Sequence, residues 1–244
     1  LEVENAPSSI KLYEKGMKEY AKGGYLNKVK SSHFFKKSVE NKIKDNPALG
    51  MLVLTYGELI ENSINKKSSS RNLFNLTKIT RAKTYKDVNV AIGTALFYDY
   101  AKKRQTALNV IESYLRISKP TLKLFGVYMD LAIESGDLVL AKKIFDKVSG
   151  YPDKPLEIYL AISKYHSLDE NYDEGKKIIK EGLKKYGSSV ALLLEYASYF
   201  LRDEQIKSYT KIIKKVEELA YEGSPAFYAK YLEYVALLSA LNKD

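Results

Sequence analysis

Cysteine and tryptophan are absent from the 244-residue chain, and histidine occurs only twice. The lack of cysteine excludes disulfide bridges, cysteine-ligated metals and thiol catalysis. No apolar run approaches the ~20 residues that a helix needs to cross a bilayer. His33 and His166 are far apart in the sequence, and neither has a second ligand-type residue at a convincing metal-binding spacing. We therefore predict no bound metal.

The motifs of the common enzyme classes are also missing. The sequence has no phosphate-binding loop, no glycine-rich dinucleotide fingerprint and no serine-nucleophile elbow. Its paired acidic residues either begin a predicted helix, as Asp169 and Glu170 do, or lie among lysines, as Glu217 and Glu218 do. These observations predict no catalytic residue, no cofactor and no small-molecule substrate. An enzyme whose site is assembled from scattered residues stays open as an alternative.

The charge balance is basic, with 40 Lys and Arg against 30 Asp and Glu, a net charge of +10. Such a balance favours acidic proteins, anionic lipid or nucleic acid as partners. The lysines are spread along the whole chain, however, which is typical of solvated helix faces. Nucleic acid is disfavoured, because single-strand binding needs exposed aromatic residues among the basic ones, whereas most of the 21 tyrosines fall at core-like positions.

Small and apolar residues recur with a period of 34 residues. After the turn Ser135-Gly136-Asp137 come Leu138, Ala141, Phe145 and Val148. The same register holds Arg104, Ala107, Ile111 and Tyr114 one period earlier. One period later it holds Tyr172, Gly175, Ile179 and Gly182, and two periods later it holds Ile206, Tyr209, Ile213 and Val216. A small or medium-sized residue also recurs in the helix before each turn, at Gly57, Ala95, Met129, Ser163 and Ala197. A 34-residue helix–turn–helix unit resembles the tetratricopeptide repeat.

This resemblance implies an all-α fold, a right-handed α-solenoid of about six helix pairs with a C-terminal capping helix. Without a Gly- or Pro-rich linker, we expect one domain over residues 1–244. Within it we expect divergent repeats at 8–86, regular repeats at 87–221 and the capping helix at 224–241. The expected helices of the regular part are 87–100, 103–117, 121–134, 137–149, 155–168, 171–185, 189–201 and 204–221.

In tetratricopeptide arrays the first helices of the pairs line a concave groove that usually holds a peptide or protein segment. Transferred to this sequence, the resemblance implies groove positions at Asn89, Ile92, Leu96, Tyr100, Lys123, Asp130, Glu134, Glu157, Lys164, Leu168, Ala191, Leu194, Ser198 and Arg202. The set lacks the Lys/Asn clamp with which some members of the family hold a C-terminal carboxylate. It therefore favours a mixed apolar and polar protein segment as the partner.

The second helices carry a recurring lysine, at Lys143, Lys177 and Lys211. We expect these three residues to form a basic stripe on the convex face. Solubility is the simpler interpretation, and contact with an acidic partner or an anionic membrane is the functional one.

We expect a non-enzymatic protein–protein interaction scaffold or adaptor. Its layout is similar to that of bacterial outer-membrane lipoproteins that help to assemble pili or secretion pores. The chain begins at Leu1 without a methionine, so we expect an upstream segment that carries a lipid-bearing cysteine. Peripheral membrane association and a periplasmic or outer-membrane location would follow. A cytoplasmic regulator or chaperone that binds a partner's helix or tail is the alternative.

Overall fold

The computed structural model describes residues 8–41, 47–60, 70–75, 86–220, 231–233, 235–237 and 239–240. Packing divides the chain into two units, an N-terminal unit, Leu1–Ser118, and a C-terminal unit, Lys119–Asp244. All regular secondary structure in the described ranges is helical. The all-α prediction is therefore confirmed. The expectation of one domain stays a prediction.

Among its described residues, the N-terminal unit contains five helices of twelve or more residues. They are α1 (Ser9–Ala21), α2 (Tyr25–Asn41), α3 (Ala48–Leu59), α4 (Val88–Tyr100) and α5 (Arg104–Leu115). Residues 70–75 are also helical, and Leu73 within them is fully buried against Val53, Ile60 and Phe97. Residues 61–69 and 76–85, which belong to the divergent repeats predicted at 8–86, lie outside the described residues.

Glycine allows α3 and α4 to pack with their backbones in contact. A Cβ atom added to Gly57 would lie 2.9 Å from the Gly93 Cα, and one added to Gly93 would lie 2.6 Å from the Val53 carbonyl carbon. Glycine inside a helix costs ~1 kcal/mol relative to alanine. Both glycines are buried, so close helix packing offsets that cost, as the small-residue pattern predicts.

The described residues 119–220 of the C-terminal unit form three consecutive helix pairs. The pairs are α6 (Leu122–Glu134) with α7 (Leu138–Val148), α8 (Leu156–Leu168) with α9 (Tyr172–Lys185), and α10 (Val190–Arg202) with α11 (Ile206–Ala220). The described helical residues after α11 include Tyr231 and Val235, which pack on the core cluster formed by α10 and α11. This contact agrees with a capping helix; the predicted start of that helix lies outside the described residues.

The turn inside each pair repeats with the sequence period. Lys102, Gly136, Glu170 and Glu204 are 34 residues apart and have φ angles of 59°, 79°, 56° and 56°. In each case the next residue donates its backbone N–H to a carbonyl five residues earlier, as Asp137 does to Ala132 at 2.9 Å. This is the Schellman arrangement that ends a helix on a left-handed residue. Only one of the four positions is glycine.

The positions that sequence analysis singled out as small are buried. Ala95, Met129, Ser163 and Ala197 in the first helices, and Ala107 and Ala141 in the second helices, all have 0% exposure. Buried residues thus recur at the same register in each pair. The core is a series of layers between neighbouring helices, as expected of a stacked repeat.

Candidate functional site

The first helices of the C-terminal unit present a row of charged side chains. We call this row the first-helix face and define it by six residues, Lys123, Asp130, Glu134, Glu157, Lys164 and Glu195. On α6, positions 123, 130 and 134 share one side because they differ by seven and four residues. The same register on α8 holds Glu157 and Lys164. Helical periodicity and the 34-residue repeat together bring these groups onto one surface.

Ion pairs join α6 to α8 across this face. Lys123 Nζ lies 3.2 Å from Glu157 Oε1. Lys164 Nζ donates a hydrogen bond to Asp130 Oδ1 at 2.5 Å and lies 3.7 Å from Glu134 Oε1. Two groove positions of the sequence prediction, Asp130 and Lys164, are therefore directly bonded.

Lys164 is the most strongly held of these charges. Its burial lowers its pKa, but the carboxylates of Asp130, Glu134 and Glu195 outweigh that effect and raise the pKa above its usual value. The lysine therefore remains charged at every physiological pH, and its geometry is set before any partner arrives.

Sequence reasoning missed Glu195. Its Oε1 accepts a hydrogen bond from Ser163 Oγ at 2.8 Å, which connects α10 to α8. The one available signal was the repeat itself, because Glu195 occupies the register of Val127 and Ala161 two and one periods earlier. Those positions are apolar, so the register alone did not predict a charged group there.

The first-helix face has an excess of negative charge. It contains four carboxylates and two ammonium groups, on a chain with a net charge of +10. Two of the carboxylates, Asp130 and Glu134, pair with the ammonium of Lys164, and Glu195 also attracts it. This local inversion of sign makes the face an acceptor for cationic or hydrogen-bond-donating groups.

The other predicted groove residues lie elsewhere or make local contacts. Asn89 and Tyr100 belong to the N-terminal unit, where Tyr100 packs partly buried on the cluster around Phe97. Ser198 donates its hydroxyl to the Glu195 backbone carbonyl at 2.7 Å. The Arg202 guanidinium carbon lies 4.2 Å above the Tyr172 ring at the start of α9. This contact places the Arg202 guanidinium against a second helix. That these residues form a groove stays a prediction.

The three lysines of the predicted convex stripe are all exposed on α7, α9 and α11. Lys177 is paired with Glu174 at 3.1 Å within its own helix. Their action as one stripe stays a prediction.

In the described ranges, no group of three or more His, Cys, Asp or Glu side chains is placed to hold a metal ion. No helix in those ranges combines the length and apolarity needed to cross a bilayer.

His166 is the one histidine with a buried ring nitrogen in the described part of the chain. Its Nδ1 is inaccessible and has no hydrogen-bond partner. The ring packs edge-on against Phe145, with centroids 5.4 Å apart. Burial lowers its pKa, while Glu174 and Asp169 oppose the shift. An apolar-packed imidazole of this kind stabilises the α7–α8 contact in its neutral form.

No protein-family model matches this chain, and no curated protein matches its sequence. Solved structures do match. A tetratricopeptide repeat protein from Parabacteroides merdae ATCC 43184 superposes with a TM-score of 0.52 at 16% sequence identity, covering 96% of this chain and 90% of that one. The P58(IPK) TPR domain superposes with a TM-score of 0.35 at 14% identity, covering 97% of this chain and 67% of that one. At these identities the likeness concerns the fold. The chain is thus an all-α solenoid with the divergent tetratricopeptide-like fold that its 34-residue period predicted.

Proposed function

We propose that this protein is a non-enzymatic scaffold that holds a protein segment against the first-helix face of its C-terminal unit. The observation that supports the proposal is the arrangement of that face. Six charged side chains on three adjacent helices are fixed by ion pairs and by the Ser163–Glu195 hydrogen bond. Fixed side chains lose less conformational entropy on binding, which favours recognition.

The excess of carboxylates indicates the chemistry of the segment. Asp130 and Glu134 have side chains 42% and 43% exposed, so both remain accessible although they pair with Lys164. A segment with lysine or arginine can bind these oxygens without displacing the buried contacts of α6 and α8. Arginine would bind best, because its planar guanidinium can make two hydrogen bonds to one carboxylate.

Site-specific photo-cross-linking tests this proposal in cells. A benzoylphenylalanine is placed at Glu134 on the first-helix face, and a matched control is placed at Lys184, an exposed position on α9. We expect position 134 to capture a discrete partner, cross-linked through a segment that contains lysine or arginine. Equal capture at both positions, or capture only at Lys184, would contradict the proposal.

Charge variants then test the chemistry with the captured segment as a synthetic peptide. Asp130→Asn combined with Glu134→Gln is expected to weaken binding by roughly tenfold, because hydrogen bonds to charged groups contribute ~1.5–3 kcal/mol. Glu174→Gln combined with Glu181→Gln removes the same charge from α9 and serves as the control. Equal weakening in the two double variants would indicate nonspecific electrostatics.

The cell-envelope setting inferred from the sequence layout is part of this proposal, with assistance to pilus or secretion assembly as its narrower form. Fractionation of the native protein tests it. Recovery in the outer membrane with an N-terminal lipid mass would support it. Recovery in the cytosol would contradict it and favour the regulator or chaperone alternative.

A further inference from the structure

A shallow depression of about 700 Å³ lies on the C-terminal unit between α7 and the end of α8. We call it the α7/α8 depression. Its lining includes Leu138, Val139, Lys143, Lys147, Tyr165 and Leu168, together with Lys142 and the carboxylates of Asp146 and Asp169. Leu138, Val139 and Leu168 are 49%, 83% and 52% exposed. Single exposed apolar residues are ordinary, but an apolar group rimmed by charges is typical of an interaction site.

The next repeat closes the equivalent site. Tyr172 and Arg202 lie 34 residues after Leu138 and Leu168. There the Arg202 guanidinium covers the Tyr172 ring at 4.2 Å. At the α7/α8 position both partners are leucine, so the same register leaves two exposed apolar side chains and no cover.

The next repeat also has a salt bridge that the α7/α8 depression lacks. Lys176 of α9 pairs with Asp203, which joins the second helix of one pair to the end of the following first helix. The residues at the equivalent register are Lys142 and Asp169. Lys142 instead pairs with Asp146 of its own helix at 3.3 Å. The α7 and α8 ends are therefore not joined by this salt bridge.

The side of the depression formed by Tyr165 is open for a steric reason. Tyr199, one period later, is only 1% exposed because Gly175 leaves room for its ring. The residue at the glycine register under Tyr165 is Ala141, whose methyl group occupies that room. Tyr165 instead stacks on Phe145, with centroids 4.9 Å apart and rings inclined by 21°. Both rings remain partly exposed beside the leucines.

The rim of the depression has an excess of positive charge. Lys142 is satisfied by Asp146, and Asp169 also faces it electrostatically. Lys143 and Lys147 are exposed and have no carboxylate partner among the described residues. Because they are four residues apart, the two lysines share one side of α7, and the Lys147 Nζ lies 5.8 Å from the centroid of the Phe125 ring on α6.

We propose that the α7/α8 depression docks an acidic protein segment distinct from the segment on the first-helix face. The apolar part would receive one or two large apolar side chains, of the leucine or phenylalanine kind. Aspartate or glutamate residues beside them would pair with Lys143 and Lys147. The proposal rests on a difference between two repeats: one repeat later, the Arg202 side chain covers the equivalent site, whereas the α7/α8 depression is left open. Together the two sites would allow the scaffold to hold a basic and an acidic segment at once.

A displayed library of random peptides, selected on the full chain, tests this inference. We expect enriched peptides to combine a large apolar residue with Asp or Glu. The double variant Leu138→Tyr with Leu168→Arg copies the cover of the next repeat and is expected to weaken these peptides at least tenfold. Lys143→Glu with Lys147→Glu should weaken them similarly. Lys180→Glu with Lys184→Glu on α9 changes the charge equally at the same spacing and should leave binding intact.

Several outcomes would overturn the inference. Selected peptides without carboxylates, equal binding to the covered variant, or no selected peptide would each contradict it. So would binding to phosphatidylserine-containing vesicles that the covered variant loses while no peptide is selected, because that result would assign the patch to an anionic lipid surface. Asp130→Asn with Glu134→Gln leaves this site unchanged, so failure here is distinguishable from failure of the proposed function.

Discussion

The hydroxyl of Tyr199 occupies the space into which a side chain at Gly175 would project. A Cβ atom added to Gly175 would lie 2.7 Å from the Tyr199 Cζ, so no other residue fits without movement. The hydroxyl accepts a hydrogen bond from Ser167 Oγ at 2.9 Å and donates to the Ser163 carbonyl at 3.0 Å. Burial raises the Tyr199 pKa, whereas the hydrogen bonds with the two serines lower it. The glycine and the tyrosine thus form one packing unit.

Gly175→Ala is expected to destabilise the protein by ~1–3 kcal/mol, the usual cost of overpacking a core. Tyr199→Phe should cost ~1–2 kcal/mol through the hydrogen bonds it removes. Urea unfolding of both single variants and the double variant provides the measurement. Because Phe lacks the oxygen nearest the added methyl group, the double variant should cost less than the sum of the singles. Strict additivity would contradict direct contact between the two positions.

Glu170→Gly is expected to stabilise the chain. Glu170 has a φ of 56°, and a left-handed conformation costs a non-glycine residue ~1–2 kcal/mol. Part of that gain is lost because glycine increases the entropy of the unfolded chain, so we expect a net stabilisation of ~0.5–1 kcal/mol in urea unfolding. Glu170→Ala is the control, since it removes the side chain but retains the strain. An equal gain in both variants would assign the effect to charge.

Gly136→Ala should destabilise, because it places strain where glycine now avoids it.

Lys164→Met is expected to cost more than Lys123→Met. The Lys164 ammonium pairs with Asp130 and Glu134 and is also attracted by Glu195, whereas Lys123 pairs with Glu157. Both pairs are partly exposed, so we expect ~1 kcal/mol for the first variant and about half of that for the second after allowance for solvent screening. Urea unfolding at low salt and at about 0.5 M salt provides the measurement. At the higher concentration the Debye length is only a few Å, so the difference in unfolding free energy between the two variants should become smaller. A salt-independent difference would indicate packing of the lysine stem.

Acid is expected to weaken the α7–α8 contact through His166. Its pKa in the folded chain is below 6.5 because of burial, so the unfolded chain binds the proton more tightly. The stabilisation is therefore complete above pH 6.5 and is lost as the pH falls through the folded pKa. Urea unfolding between pH 7.5 and 5 should show a steeper loss for the natural chain than for His166→Phe. His33→Gln, at an exposed position, is the control. Parallel pH profiles for the natural chain and His166→Phe would contradict the assignment.

The repeat period was readable because it reflects local geometry. Gly136, Ala141 and Val148 mark a turn, a close approach and a buried helix face, and each recurs because every repeat meets its neighbour in the same way. Helix caps also follow from local sequence. Ser8 and Ser189 accept backbone N–H groups at the starts of α1 and α10, and serine is a preferred residue at that position.

Contacts between repeats depend on which side chains meet, and the period does not specify this. Arg202 is at a position predicted to line the groove, yet its guanidinium stacks on the Tyr172 ring. This contact is possible because Arg202 lies in the last turn of α10. Leu168 has the same register and lines the α7/α8 depression instead. At a helix end the side chain can reach the neighbouring second helix, which a rule based on helix faces omits.

The sequence by itself determined the helices, their turns and the small buried residues, because these follow from interactions within about one repeat. Only the tertiary structure decided which charges neutralise each other and which remain available. Lys164 forms ion pairs with Asp130 and Glu134, whereas Lys143 forms none with a described residue, although both are lysines on helices of the repeat. Ion pairing depends on distances of a few ångströms between residues from different repeats, and these distances are set by how the helices pack.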